Sequence, residues 1–343
     1  MINTQHKLIS ILGTTATGKT SLALFLAKKT LQEKLAQGVT LISADSRQVY
    51  QGLEVLTGAD VPPNFKFKKT ATQDYRFAQD QTLPITLHGI LIVKPTEEWS
   101  VAQFRNMAIS LINQSWQKNW LPIVVGGTSF YHQQLFNNDP DIYIKPNPEL
   151  RKQLASSSTK NLQQMLNVLD LEKLNQMNLS DVNNPRRLIR AIEVAQVKKD
   201  QTSTVKNRPI FYQPHNYYSI GLQTDLKTLQ DKILLRVRKR MTQGAIEEVK
   251  NLLLLNLPSS SPAMSALGIE PISQYLQNKI SQEQAIKNWT LSEYQYAKRQ
   301  ITWLKSLQLD LQPNSQPEKS WLQVRENLFR KPSLEKNSKI LYT

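Results

Sequence analysis

Short apolar or β-branched runs punctuate the chain at Leu8 to Leu12, Val39 to Ser43, Ile85 to Val93, Leu121 to Val125 and Tyr217 to Leu222. Runs of this kind read as buried strands. Between them the period changes. From Lys19 to about Lys29, Leu22, Phe25 and Leu26 fall on one helical face, and Val101 to Trp116 is helical in the same way. Strands alternating with helices predict an α/β fold, a mainly parallel sheet flanked by helices.

From Asn137 the character shifts. Asp139-Pro140, Lys145-Pro146 and Asn147-Pro148 break the chain, and polar helical segments then extend to about Lys199. Residues 138–209 read as an all-helical insertion, after which Tyr217 to Leu222 returns to the sheet. Two long helices follow. One carries Leu226, Leu229, Ile233, Val237 and Met241, the other Tyr294, Ala297, Ile301 and Leu304, at spacings of three and four that give each a core face and a basic face. Beyond Gln312 a stretch rich in Pro, Ser and Lys reads as a tail with one short helix around Trp321 to Phe329. The expected organisation is a core from 1–137 and 210–312, the insertion 138–209 and the tail 313–343.

Composition narrows the function. The 343 residues include no cysteine and four scattered histidines, which excludes a disulfide scaffold, thiolate metal sites and a cysteine nucleophile. No run of apolar residues is long enough to span a membrane, and Met1 to Lys7 is polar where a signal peptide would be apolar, so a cytoplasmic protein without a membrane partner is expected. Lys and Arg number 43 against 27 Asp and Glu, a formal charge of +16. Such an excess suits a polyanion, nucleic acid first, although a generally basic proteome produces the same balance.

The sharpest motif is Gly13-Thr14-Thr15-Ala16-Thr17-Gly18-Lys19-Thr20, which satisfies G-x-x-x-x-G-K-[ST] between a strand and a helix. Its glycines let successive N–H groups and the helix N-terminus point at phosphate oxygens. Lys19 adds a charge, and the Thr20 hydroxyl suits Mg²⁺ bound to the same phosphates. ATP is the default ligand of such a P-loop, yet any linked diphosphate is gripped by the same physics. Asp45 ends the second strand, at the P-loop edge of the sheet. It reads equally as a Mg²⁺-orienting carboxylate of an NTPase and as a general base.

Ile42-Ser-Ala-Asp45-Ser46-Arg47-Gln48-Val49-Tyr50 resembles the ISADSRQIY that follows GPTASGKT in tRNA dimethylallyltransferases. Further blocks extend the resemblance over roughly residues 8 to 308. Val125-Gly126-Gly127-Thr128-Ser-Phe-Tyr131 is similar to VGGTGLY, Asn184 to Glu193 to NDPRRLIRALE, and Tyr296 to Trp303 to AKRQxTW. Two blocks depart: Leu91 stands where HHLIDI has its aspartate, and GYKE appears as Gly268-Ile269-Glu270-Pro271. The stretch from Asp60 to Leu83 is also longer and less regular than in the family.

The resemblance implies transfer of a dimethylallyl group from dimethylallyl diphosphate to N6 of adenosine 37 in tRNAs that read codons starting with U, by a protein expected to act as a monomer. It places Arg240 against the diphosphate, Thr128 against the target nucleotide together with Asp45, Ser46, Arg47 and Gln48, and Arg151, Arg186, Arg187, Leu188, Ile189 and Arg190 on the tRNA anticodon stem-loop. In that chemistry Asp45 accepts the N6 proton, because an adenine amine must lose one as it attacks carbon. The leaving diphosphate is stabilised by the P-loop amides, Lys19 and Mg²⁺. By the residues alone, Arg236 and Arg240 also read as one solvated face, Thr128 as a helix N-cap, and Trp303 with Lys298, Arg299 and Lys305 as either core or RNA face. Two rival functions stay open here: a small-molecule or nucleotide kinase with the insertion as its lid, and a non-catalytic RNA-binding protein.

Overall fold

The computed structural model describes residues 6–69, 75–137, 139–200, 216–307, 309–310 and 317–329. The strands are β1 (Lys7–Gly13), β2 (Gly38–Ser43), β3 (Phe65–Lys68), β4 (Phe77–Asp80), β5 (Ile85–His88), β6 (Trp120–Gly126) and β7 (Asn216–Leu222), ordered β3-β4-β5-β2-β6-β1-β7 in one sheet. The pairs from β5 to β7 are parallel, while β3–β4 and β4–β5 are antiparallel. The sheet is therefore mixed and mostly parallel, with helices on both faces.

Alternation along the strands builds the two layers. Ile9 and Ile11 of β1, Leu121 and Ile123 of β6 and Ile220 of β7 pack with Leu22, Ala23 and Leu26 of the helix Lys19–Gln32. Leu8, Ile42 and Val124 face the other way, onto the helices Val101–Gln117, Leu226–Gln243 and Gln282–Lys305. Because strand side chains alternate with period two, one register serves both layers. Ser100 starts the helix Val101–Gln117 with a reciprocal capping box to Gln103.

Several sequence expectations change. The run Ile85 to Val93 is a strand only to His88, since Gly89 (φ +76°) and Leu91 (φ +52°) turn the chain and leave an isolated bridge between Val93 and Tyr50. The irregular stretch after Asp60 holds the antiparallel strands β3, at the sheet edge, and β4 beside it. Leu226, expected on a core face, is exposed, while Leu229, Ile233, Val237 and Met241 are buried. Part of the expected tail is core. Residues 317–329 form a helix, Pro317–Val324, and a π-helical turn, Arg325–Phe329, whose Trp321, Val324, Leu328 and Phe329 are buried against the first layer. Glu33 anchors this segment by accepting from Trp321 Nε1 at 2.7 Å and pairing with Arg325 at 2.7 Å.

The chain divides into two compact units, Met1–Asn137 with Pro209–Thr343, and Asn138–Arg208. The second has its own core of Leu150, Leu154, Leu162, Leu166, Leu188 and Ile192. The expected end of the insertion, 201–209, and the tail residues 313–316 and 330–343 lie outside the described residues. Among the described residues no helix is long and apolar enough to cross a membrane.

Candidate active site

Parallel strands deliver their following loops to one edge, the usual place for ligands in open α/β sheets. Here β1, β2 and β6 bring the P-loop, Asp45 and Gly126-Gly127 around one cavity of about 470 Å³. The same cavity is walled by Gly58, Asp60, Arg236, Arg240, Glu293, Tyr296, Arg299 and Gln300.

The P-loop turns through Ala16 (φ +60°) and Gly18 (φ +81°), with Gly18 as N-cap of the helix Lys19–Gln32. Left-handed backbone at the cap favours glycine and leaves the first helical N–H groups open to an anion. Lys19 Nζ donates to the Thr14 carbonyl at 2.6 Å. Burial lowers its pKa to about 8, with Arg236 acting in the same direction and Asp45 and Glu293 opposing. Thr20, in the first turn of the helix, lies on the cavity wall.

Asp45 accepts the N–H groups of Arg47 (2.9 Å) and Gln48 (3.3 Å) through Oδ1. Two backbone donors on one oxygen orient the carboxylate and leave Oδ2 available to another donor. Thr128 occupies the N-cap position of the helix Ser129–Phe136 without a side-chain capping bond; its hydroxyl accepts the Ser46 N–H at 3.0 Å instead. The side chains of Arg47 and Gln48 are tied to loops: Arg47 Nη1 donates to the Pro262 carbonyl at 2.7 Å and Gln48 Nε2 to that of Gly58 at 2.9 Å.

Arg236 and Arg240 reach the cavity one helical turn apart. Arg236 Nη1 donates to Thr15 Oγ1 of the P-loop at 2.6 Å. Arg240 is buried, pairs with buried Glu293 at 3.0 Å and lies 5.9 Å from the ring centre of Trp289. Burial and then Arg236 push its pKa down to about 10, partly offset by Glu293, so it stays charged at neutral pH. Gly58 makes the approach possible: a Cβ there would fall 2.1 Å from Nη2 of both arginines.

Sequence reasoning missed Gly58, Asp60, Glu293 and Gln300 as parts of this cavity wall, and left Arg236 between a functional residue and a solvated face. For Glu293 and Gln300 a signal existed. They share a helical stripe with Trp289, Ala297 and Leu304, and a carboxylate or carboxamide on an apolar stripe requires a buried partner. The expected mixed face on that helix resolves into exposed Lys298 and Lys305, a half-buried Trp303 and a cavity-lining Arg299.

Among the described residues no group of three His, Cys, Asp or Glu side chains is suited to a metal. The oxygen groups present, Thr20 hydroxyl and Asp45 carboxylate, fit an ion held mainly by phosphate oxygens and water, as Mg²⁺ is in phosphate sites, and not a self-sufficient protein cage.

The sequence model described as IPP transferase matches residues 48–307. The chain belongs to the IPP transferase family. The tRNA dimethylallyltransferase of Finegoldia magna is 32% identical over 306 residues, 88% of each chain. That of Alkaliphilus oremlandii is 34% identical over 302 residues, covering 88% of this chain and 89% of the relative. The crystal structure of the full-length tRNA isopentenylpyrophosphate transferase from Bacillus halodurans superposes with a TM-score of 0.59 at 28% identity, over 94% of this chain and 95% of that one. The P-loop and Asp45 precede the segment matched by the IPP transferase model, so their assignment rests on motif and geometry.

Of the two departing blocks, the structure places Leu91 of the first and the retained glycine of the second. Leu91, at the aspartate position of the HHLIDI block, is buried; its N–H donates to the Gln48 carbonyl at 2.8 Å and its carbonyl accepts from Arg76 Nε at 2.6 Å. Gly268 (φ +98°) caps the helix Ile269–Leu276, and a Cβ on it would fall 2.5 Å from the Trp289 ring that flanks Arg240.

In the second unit, Asn184 caps the helix Pro185–Lys199 by accepting the N–H groups of Arg186 and Arg187. Arg151 forms a bidentate pair with buried Glu193 at 2.6 and 2.9 Å. Arg190 donates to Glu193 at 3.2 Å and to the carbonyls of Asp141 (2.8 Å) and Ile144 (2.7 Å). Arg187 pairs with Asp181, and Arg186 is exposed. Leu188 is wholly buried, backbone included, in the core of this unit, and Ile189 is half-buried.

Proposed function

We infer that this protein transfers a dimethylallyl group from dimethylallyl diphosphate to the N6 amine of an adenine in tRNA, releasing diphosphate. The observation that carries this reading is the meeting, in one cavity, of an anion-binding P-loop and a carboxylate with an oxygen to spare. Family membership supplies the reaction class.

The P-loop amides and Lys19 hold the two phosphates of the donor. Arg236 and Arg240 add positive charge where charge develops as the allylic C–O bond breaks, which is where preorganised donors lower a barrier most. Mg²⁺, held by the diphosphate with Thr20, supplies further neutralisation of the leaving group when bound. Asp45 accepts the proton from the adenine amine as nitrogen bonds to carbon, and the Thr128 hydroxyl, oriented by Ser46, lies beside it. Glu193-held scaffolding in the insertion leaves Arg186 and Arg187 as the residues best suited to phosphates of the anticodon stem-loop. Adenosine 37 in tRNAs reading U-starting codons is the target we assign, an unpaired base accessible by extrusion.

Mass spectrometry of nucleosides from tRNA incubated with the protein, Mg²⁺ and dimethylallyl diphosphate tests the reading. The expected product is an adenosine heavier by one dimethylallyl group at N6. Phosphate transfer from ATP to a small acceptor, with tRNA unchanged, would favour a kinase instead.

A further inference from the structure

The donor loop follows β1 and the acceptor loop follows β6. Those strands pair as far as Leu12 and Gly126, and the chains then diverge. Gln300, a buried residue of the helix Gln282–Lys305, fills the gap between them. Its Oε1 accepts the N–H of Thr15 at 3.0 Å, and its Nε2 donates to the Gly127 carbonyl at 2.7 Å. These partners fix the orientation of the carboxamide, because an N–H demands an acceptor and a carbonyl a donor. Space is tight: a Cβ on Gly127 would fall 2.4 Å from Nε2. Thr128 follows directly and holds Ser46, the neighbour of Asp45. One line of hydrogen bonds thus runs from the diphosphate loop through Gln300 to the acceptor carboxylate's own turn.

We propose that Gln300 is a positioning residue for prenyl transfer, locking the donor loop to the acceptor loop so that the reacting carbon and the adenine amine meet at the right separation. The inference rests on the prenyl-transfer reading above. It follows from how steeply rate depends on approach: a misplacement of about 1 Å costs on the order of a hundredfold. Both polar atoms of the Gln300 carboxamide are taken up by the two loops, so its loss slows the bonded step while each substrate still binds.

Gln300→Glu tests this through pH. The variant keeps the shape and the acceptor for Thr15, but an ionised carboxylate cannot donate to Gly127, whereas a protonated one can. Single-turnover rates of variant and unaltered protein are compared as a ratio from pH 6 to 8.5, beside the affinities for inorganic diphosphate and for an anticodon stem-loop RNA. We expect the ratio to be about one-tenth or less at the alkaline end and to rise as pH falls, with both affinities within about threefold, since burial raises the carboxyl pKa towards this range. A second route avoids a buried charge. Gly127→Ala drives the carboxamide off its carbonyl and slows transfer, while in a Gln300→Ala background it has nothing to displace and adds no further loss. A ratio that stays flat with pH, additive losses in the double variant, or a rate loss explained by weaker diphosphate binding would overturn the inference. Unaltered protein that makes no prenylated adenine would overturn the prenyl-transfer reading itself, and this inference with it.

Discussion

Two buried glutamates, one in each compact unit, hold arginines to opposite ends. Glu293 takes a hydrogen bond from Nη1 of Arg240, while that guanidinium remains on the cavity wall with Nη2 facing the space Gly58 leaves open. Glu193 takes both Arg151 and Arg190, and the second nitrogen of Arg190 is further occupied by two carbonyls. Burial alone would raise the Glu193 pKa, but the Arg151 hydrogen bond, the Asn147 N–H and the Arg190 bond together bring it below the usual carboxylate range. A carboxylate beside an arginine therefore has two uses. It presents the cation when the other N–H groups have no protein acceptor, and it builds scaffold when they do.

The comparison can be broken first at the scaffold. Glu193→Ala leaves the half-exposed Arg151 and the partly buried Arg190 without their carboxylate and should destabilise the protein by about 1.5–3 kcal/mol, the range for hydrogen bonds to a charged group. Denaturant unfolding measures the loss. Diphosphate affinity measured in native conditions should change little, and a stability change under about 1 kcal/mol would mean that Glu193 behaves as an exposed partner.

Glu293→Gln tests presentation at the other glutamate. Arg240 loses its counter-charge and with it the fixed direction of its guanidinium, so inorganic diphosphate should bind about tenfold more weakly, a charged hydrogen-bond contribution of about 1.4 kcal/mol. Calorimetric titration reads it, and unchanged affinity would remove Arg240 from the donor site.

Lys19 gives a pH dependence of known sign. Its free pKa of about 8 lies below the ordinary 10.5 because of burial, and a bound diphosphate restores the favoured charged form. Above pH 8 the lysine must take up a proton on binding, so affinity should fall by up to about tenfold per pH unit, and titrations in buffers of different ionisation enthalpy should show proton uptake. Lys19→Met should flatten the dependence. By the same linkage the free protein gains stability from pH 8 towards 10.5, where the unfolded chain holds the extra proton.

The smallest effect belongs to the arginines that the insertion leaves exposed. Arg186→Ala with Arg187→Ala should leave stability within about 0.5 kcal/mol and reduce the salt dependence of stem-loop binding by a slope of about one to two. A slope that does not move would deny these residues a phosphate contact.

How much of this was legible in the chain depended on distance along it. β1, β2, β6 and β7 were read from their apolar runs, and the P-loop with Asp45 from motifs whose residues are sequence neighbours. The short edge strand β3 escaped notice because Phe65–Lys68 buries only Phe65 and offers no apolar run. His88 ends its strand through backbone angles at Gly89 and Leu91, which a leucine does not announce. At the site, Arg236 and Arg240 could be seen as a pair one turn apart, but which of them meets Thr15 and which meets Glu293 is set by packing between distant helices. The arginine-rich block of the insertion was visible as a block. That Arg151 shares Glu193 and that Arg190 is tied to the carbonyls of Asp141 and Ile144, whereas Arg186 is exposed, was not, since those partners lie 42, 49 and 46 residues away in sequence.

The central claim is that a donor-gripping loop faces an acceptor base across one cavity, and Asp45→Asn addresses it most directly. Asparagine keeps an oxygen to accept the N–H groups of Arg47 and Gln48 but cannot take the adenine proton. Single-turnover prenyl transfer is followed across a magnesium titration with inorganic diphosphate affinity measured in parallel. The account predicts a rate slower by roughly 10² to 10⁴ at saturating Mg²⁺ with donor-site affinity intact. Recovery of the rate by added Mg²⁺, with weakened diphosphate binding at low Mg²⁺, would make Asp45 a metal-orienting carboxylate and contradict it.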